Sequence, residues 1–296
     1  MSVHFLATRP RLRAGLFAGL AGIVGLTLFA GSGASAALVA TTRGIVPTAR
    51  VAPALYPNGT KPTIVLIHGA FADASAWTGV VQRLQKRGYT VIAPANPLRG
   101  VASDSAYIAS VLATIPGPIV LVGHSYGGEV ITNAATGDPN VEALVYIAAF
   151  APGQGETSGQ LATMFPGSQL TPQNLVFRPF PQPDGTTGTD GYINPTVFHQ
   201  VFCADIPAST AAAMAAEQRP ASIATLGEPS GIPAWQTIPS WYLVAKQDQA
   251  IPPALERFMA HRMHAHTTEI DSSHVAMISH PDVVTALILS AVHATR

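Results

Sequence analysis

Charge is scarce in this chain: Asp, Glu, Lys and Arg make up 11% of its 296 residues, and the 16 basic and 16 acidic side chains cancel to a formal net charge of zero. No basic stripe or charge block breaks that balance, so the footprint that neutralises nucleic-acid phosphates is missing, and nucleic acid is not an expected partner. Cysteine is scarcer still. Cys203 stands alone, which excludes an intramolecular disulfide and leaves stability to the core; a buried free thiol is expected. A metal centre is equally poorly supplied, since His199, Cys203 and Asp205 lie close together without a second His or Cys pair, and packing within a helix accounts for them. What the chain has in quantity is apolar residues, 48% of the total. That suffices for a sizeable core, and an α/β unit of about 200 to 250 residues is commonly one domain.

The first 36 residues differ from the rest. Arg9, Arg11 and Arg13 precede the apolar run Ala14–Ala30, and Ala34-Ser35-Ala36 has the small-residue form of a signal-peptidase site. The expectation is a signal peptide over residues 1–36, cut after Ala36, with export beyond the cytoplasmic membrane and no stable membrane association afterwards. A retained anchor is the alternative, but the run is shorter than the roughly 20 residues of a spanning helix and is loosened by glycines. The arginines alternate with other residues, so a twin-arginine signal is not evident. Cleavage would leave 13 basic against 16 acidic residues, a net charge near −3. Residues 37–61, rich in proline, alanine and threonine, read as an extended lead-in to a domain over 62–296. Within it, Asn58-Gly59-Thr60 fits a glycosylation acceptor and equally well a turn.

From Lys61 onwards short apolar runs alternate with helical periodicity. TIVLI (63–67), TVIA (90–93), IVLV (119–122) and VEALVYIAA (141–149) read as strands; 75–88, 105–115 and 128–135 read as helices. Strands that are apolar throughout imply a sheet covered on both faces, and intervening helices imply parallel order: an α/β fold with a mostly parallel central sheet. The rhythm breaks from about 153 to 236, a stretch of glycine and proline clusters with a helical patch at 209–218 and no strong strand run. A cap over the strand ends is expected there. The pattern then resumes with strands at 241–245 and 267–270 and helices at 252–263 and 281–292.

The strongest chemical signal is Gly123-His124-Ser125-Tyr126-Gly127, between a strand and a helix. A sharp strand-to-helix turn that exposes a serine hydroxyl needs flanking residues without side chains, and the helix dipole then faces charge developing beside Ser125. Serine needs a base, and His274 lies between the last strand and the final helix. Asp248, just beyond the preceding strand, is the candidate acid, with Asp271 as its competitor. The order serine, acid, histidine is that of the α/β-hydrolase arrangement and not of chymotrypsin or subtilisin. Backbone N–H groups of Ala70, preferred over Phe71, and of Tyr126 are the candidate oxyanion donors. His68 is expected to brace its loop.

The segments VLIHGAFADASAW (65–77), GHSYGG (123–128), AKQDQAIPP (245–253) and SSHVAMISHP (272–281) resemble those of α/β-hydrolases of the group holding small bacterial esterases, plant methyl-ester hydrolases and hydroxynitrile lyases. That resemblance spans nearly the whole domain. It implies a cap over 153–236, no cofactor and a small ester substrate. The lyases of the group carry threonine after the loop histidine and lysine after the catalytic one; Gly69 and Val275 stand here instead, which argues for hydrolysis. A non-hydrolytic ligand-binding relative, and amide or lactone substrates, remain alternatives. Met164, Phe165, Leu175 and Phe198 are candidate substrate-pocket residues in the cap. Because the nucleophile, base and oxyanion donors all come from loops outside the cap, catalytic geometry is expected to survive changes within it. Nothing in the sequence fixes an oligomeric state.

Overall fold

In the computed structural model, which describes residues 60–295, the apolar runs pair as the central layer of the domain. The expected signal peptide and all but the end of the lead-in lie outside the described residues. In chain order the elements are β1 (Thr63–Ile67), α1 (Thr78–Lys86), β2 (Val91–Ile92), α2 (Val101–Leu112), β3 (Ile119–Ser125), α3 (Tyr126–Ala134) and β4 (Val141–Ala149). Then come α4 (Ser158–Ala162), β5 (Leu175–Pro181), β6 (Thr187–Ile193), α5 (Pro195–Phe202), α6 (Ala208–Glu217) and β7 (Ala221–Ser222). The chain closes with β8 (Ser240–Ala245), α7 (Pro253–Arg262), β9 (His266–Ile270), α8 (Ala276–Ser279) and α9 (Pro281–Ala294).

Six strands form one sheet in the order β2-β1-β3-β4-β8-β9, every neighbouring pair parallel. Helices cover both faces, so this is the α/β architecture expected from unbroken apolar strands. The alternation of side chains along a strand divides the core in two. Val65 and Ile67 of β1 pack with Ile108, Val130 and Met259 on one side. Ile64 and Leu66 pack with Val80, Leu84 and Ile288 on the other. Because the chain steps from β1 outwards to β2 and then back across to β3, the loops after β1 and β3 diverge. In open sheets a crevice for ligands opens at such a switch point, beyond the strand ends.

Two helix starts differ from the expected ones by more than two residues. Asp73 caps a 3₁₀ turn (Ala74–Trp77) by accepting the Ser75 N–H at 2.8 Å, so α1 itself begins at Thr78. α2 starts four residues early because Glu228, remote in sequence, accepts the N–H groups of Val101 at 2.5 Å and Ala102 at 3.0 Å.

The segment between β4 and β8 holds more order than its composition suggests. β5, β6 and β7 form a three-stranded antiparallel sheet, contrary to the expectation of no strand there. β5 reads LVFRPFP and is mostly exposed; its two prolines are tolerated because it is an edge strand, paired on one side with β6. Arg99 anchors this sheet to the main domain through Asp190 of β6 at 2.6 Å. Among the described residues no helix is long and apolar enough to cross a membrane.

Candidate active site

Ser125 ends β3 and precedes α3 with φ 55 and ψ −127. A side chain at such a left-handed position is strained by about 1 to 3 kcal/mol and persists only where its surroundings enforce it. Here they do. A Cβ on Gly123 would lie 2.5 Å from the Gly127 carbonyl oxygen, and one on Gly127 would lie 2.5 Å from that of Ile67. Both sites therefore exclude side chains, and the turn stays tight enough to present Ser125.

His274, in the loop between β9 and α8, is buried, and its Nδ1 lies 2.5 Å from Asp248 Oδ2. The other oxygen of Asp248 accepts the N–H groups of Ala250 at 2.6 Å and Ile251 at 2.9 Å, which fixes the carboxylate. With Nδ1 donating to Asp248, Nε2 carries the lone pair, and that atom is buried without a hydrogen-bond partner. Asp271 sits elsewhere: its side chain is 72% exposed and pairs with Lys246 at 2.9 Å. The structure thus brings His274 to Asp248 and leaves Asp271 in solvent. Behind the imidazole, the His124 ring stands 4.6 Å away and donates from Nε2 to the His274 carbonyl at 3.0 Å. Burial holds His124 well below the ordinary histidine value, so it is a neutral support.

Ala70 and Tyr126 line the same cavity as Ser125. As the first residue of α3, Tyr126 has an N–H with no acceptor in its own helix. The Phe71 N–H is occupied, donating to Arg219 O at 2.8 Å, whereas Ala70 makes no such backbone bond. The Tyr126 hydroxyl donates to Asp104 at 2.9 Å, which pins the residue after the serine. His68 donates from Nδ1 to Gly69 O at 2.9 Å and accepts the Asn96 N–H on Nε2 at 2.9 Å, so both ring nitrogens serve the loop.

The cavity beside Ser125 has a volume of about 370 Å³ and no charged side chain in its wall. Phe150, Leu170, Leu175, Phe177, Ile223 and Leu226 supply most of its apolar lining. Of the four expected pocket residues, Leu175 belongs to it and the other three do not. Met164 is exposed, Phe165 packs on Phe258 with ring centres 5.8 Å apart, and Phe198 turns into the core against Phe202 at 5.1 Å. The phase of α5 turns Phe198 inwards, whereas Met164 and Phe165 lie in the turns after α4, whose direction the local sequence leaves open. A smaller hollow of about 240 Å³, between Phe71 and Met214 of α6, does not touch Ser125.

Two buried carboxyls carry no signal in the sequence. Glu256 of α7 is fully buried and accepts the Ala245 N–H at 3.0 Å. Desolvation and the adjacent Asp248 push it well above the ordinary glutamate value, so it stands as a neutral acid behind the anion. In sequence it reads as an ordinary acid in a helix's first turn. Glu129 of α3 is also fully buried, with neither oxygen hydrogen-bonded although Ser158 is close, and desolvation pushes it up to about 8. Cys203 is a buried free thiol, and the described residues contain no group of three metal-ligating side chains.

The chain is similar to known proteins in sequence and in fold. The Alpha/beta hydrolase family profile matches residues 64–287. The alpha/beta hydrolase nvfD of Aspergillus novofumigatus is 27% identical over 257 residues, 78% of this chain and 96% of that protein. A carbendazim hydrolyzing esterase of Nocardioides sp. strain SG-4G is 33% identical over 106 residues, 31% of this chain and 44% of that protein. Among solved structures, polyneuridine aldehyde esterase superposes with a TM-score of 0.68 at 19% identity, covering 78% of this chain and 99% of that one.

Proposed function

Since the chain belongs to the alpha/beta hydrolase family, we propose that it is a serine hydrolase that cleaves small, uncharged carboxylic esters through an acyl-enzyme. The observation that carries this reading is the buried His274, held by Asp248 on Nδ1 with Nε2 left without a hydrogen-bond partner, its ring 4.6 Å from that of His124, the residue before the strained Ser125. In the first half-reaction Nε2 takes the Ser125 proton as Oγ attacks the ester carbonyl. The N–H groups of Ala70 and Tyr126 stabilise the oxyanion, and the imidazolium then protonates the departing alcohol. Water repeats the sequence on the acyl-enzyme and releases the acid. Asp248 keeps the tautomer and offsets the imidazolium charge. No cofactor is called for.

The wall of the cavity supports an uncharged substrate, because a charged group would be desolvated there without a partner. Its volume suits a small ligand, near the lower end of the roughly 300 to 1,000 Å³ typical of such sites. The esterase name of the Nocardioides relative points to the same bond class. The leader pattern adds export to the proposal. Turnover of p-nitrophenyl esters from acetate to octanoate, beside matched amides and lactones, tests the reading: ester cleavage is expected to dominate. Labelling of Ser125 by a fluorophosphonate without turnover of any of these would overturn it in favour of a ligand-binding protein.

A further inference from the structure

Asp205 lies in the short connection between α5 and α6, within the inserted segment, yet its side chain reaches out of that segment. Its carboxylate accepts the Ser273 N–H at 3.0 Å, the Ser272 hydroxyl at 3.1 Å and, through the other oxygen, the Ser273 hydroxyl. These two serines immediately precede His274. The Ser272 carbonyl in turn accepts the Gln247 N–H at 3.0 Å, so one peptide joins Asp205, the histidine loop and the loop of Asp248. Burial alone would push the Asp205 carboxyl up, but the hydrogen bonds from Ser273, Ser279 and Ser272 outweigh it and hold the group below the ordinary aspartate value. It is an anion fixed by charge-assisted bonds. His280 Nδ1 stands 3.8 Å away on the far side of the loop. Three residues before Asp205, the Phe202 ring packs 5.1 Å from the imidazole of His274. The end of α5 therefore meets the histidine through an apolar face and through a hydrogen-bonded clamp.

We propose that Asp205 is a positioning residue for His274, fixing Ser272 and Ser273 so that Nε2 is presented to Ser125, and that the inserted segment is thereby part of the catalytic geometry. The expectation that this geometry is independent of the insertion fails at this contact. The inference rests on the Ser125–His274–Asp248 reading above. Displacing a base by about 1 Å costs on the order of a hundred-fold in rate, while an apolar cavity remote from the clamp keeps its affinity. The consequence is a split between kcat and KM.

The test is steady-state hydrolysis of p-nitrophenyl butyrate by the full-length protein and the variants Asp205→Ala, Asp205→Asn, Ser273→Ala and His274→Ala. Asp205→Ala is expected to lower kcat by about ten- to a hundred-fold with KM within roughly two-fold. Asp205→Asn, which keeps an acceptor for the Ser273 N–H, should recover part of that loss, and Ser273→Ala should show a smaller loss of the same kind. A kcat within about two-fold of the parent for Asp205→Ala, or a KM that rises as far as kcat falls, overturns the proposal while an inactive His274→Ala leaves the triad intact. Full turnover by His274→Ala overturns the triad and the proposal together. Should Asp205→Ala not fold, Ser273→Ala decides by the same split.

Discussion

Replacing Ser125 by alanine removes the nucleophile and leaves the backbone strain of the turn as it is, since alanine keeps the Cβ at the same positive φ and fits the space with one atom fewer. Ser125→Ala is expected to fold and to lose several orders of magnitude in kcat, leaving about 10³ over water from binding and oxyanion stabilisation; a thermal melt and a p-nitrophenyl ester assay check both halves. The two aspartates near His274 separate more sharply. Asp248→Asn offers His274 an amide in place of the anion and should cost about three to four orders of magnitude in kcat. Asp271→Asn removes an exposed ion pair with Lys246, worth at most about 1 kcal/mol, and should leave kcat unchanged. The reverse ranking would move the acid to Asp271. At this scale the residues at strand ends were readable, because a nucleophile turn and a loop after a strand leave local marks. Asp205 was not. Its partners Ser272 and Ser273 lie 67 and 68 residues along the chain, and its own neighbours His199 and Cys203 suggested only a weak metal set.

Helix α3 carries the turn that presents Ser125 and, one turn on, the buried Glu129. Desolvation pushes that carboxyl up to about 8 from an ordinary value of 4.5. Below pH 4.5 both folded and unfolded chains hold the proton. Between 4.5 and 8 the unfolded chain releases it and the folded chain does not, so stability falls as pH rises through that window and levels off above it. Glu129→Gln is expected to flatten this slope and to raise Tm most at pH 8 and above; equal slopes for parent and variant would show that the group is not held neutral. In the insertion, Leu175→Ala should change the preferred acyl length, with kcat/KM on an ester series shifting by about 1 to 3 kcal/mol, while Met164→Ala should not. The same segment shows where sequence reasoning stops. TGTDGYI of β6 has two glycines and β5 has two prolines, so neither scores as a strand, and each becomes one by pairing with the other. The buried strands of the main sheet needed no partner to be recognised.

Across the whole molecule one thiol reports on folding. Cys203 is fully buried in the same half of the core as Phe198, Phe202 and Trp77, and desolvation, with the Asp205 charge, pushes its thiol up to about 12. Native protein is expected to resist a disulfide reagent at pH 8 and to react stoichiometrically in guanidinium, with a rate that follows global opening; fast labelling of the native state would place local opening at the end of α5. The sheet also fixes how its parts come together. β3 and β4 meet through residues such as Gly123 and Tyr146, 23 apart, whereas β4 and β8 meet through Leu144 and Ser240, 96 apart. Loop-closure entropy grows only with the logarithm of length, so the longer excursion costs about 1.3 kcal/mol more than the shorter. Thermodynamically the scaffold is nearly indifferent to how much chain is spliced between those strands, and lineages of such proteins are free to lengthen, shorten or exchange that stretch. A transplanted stretch that closes the gap but brings no anion to Ser272 and Ser273 would fold on the scaffold and leave the base adrift. Grafting experiments on this protein should therefore transfer the end of α5 together with whatever binding surface they carry.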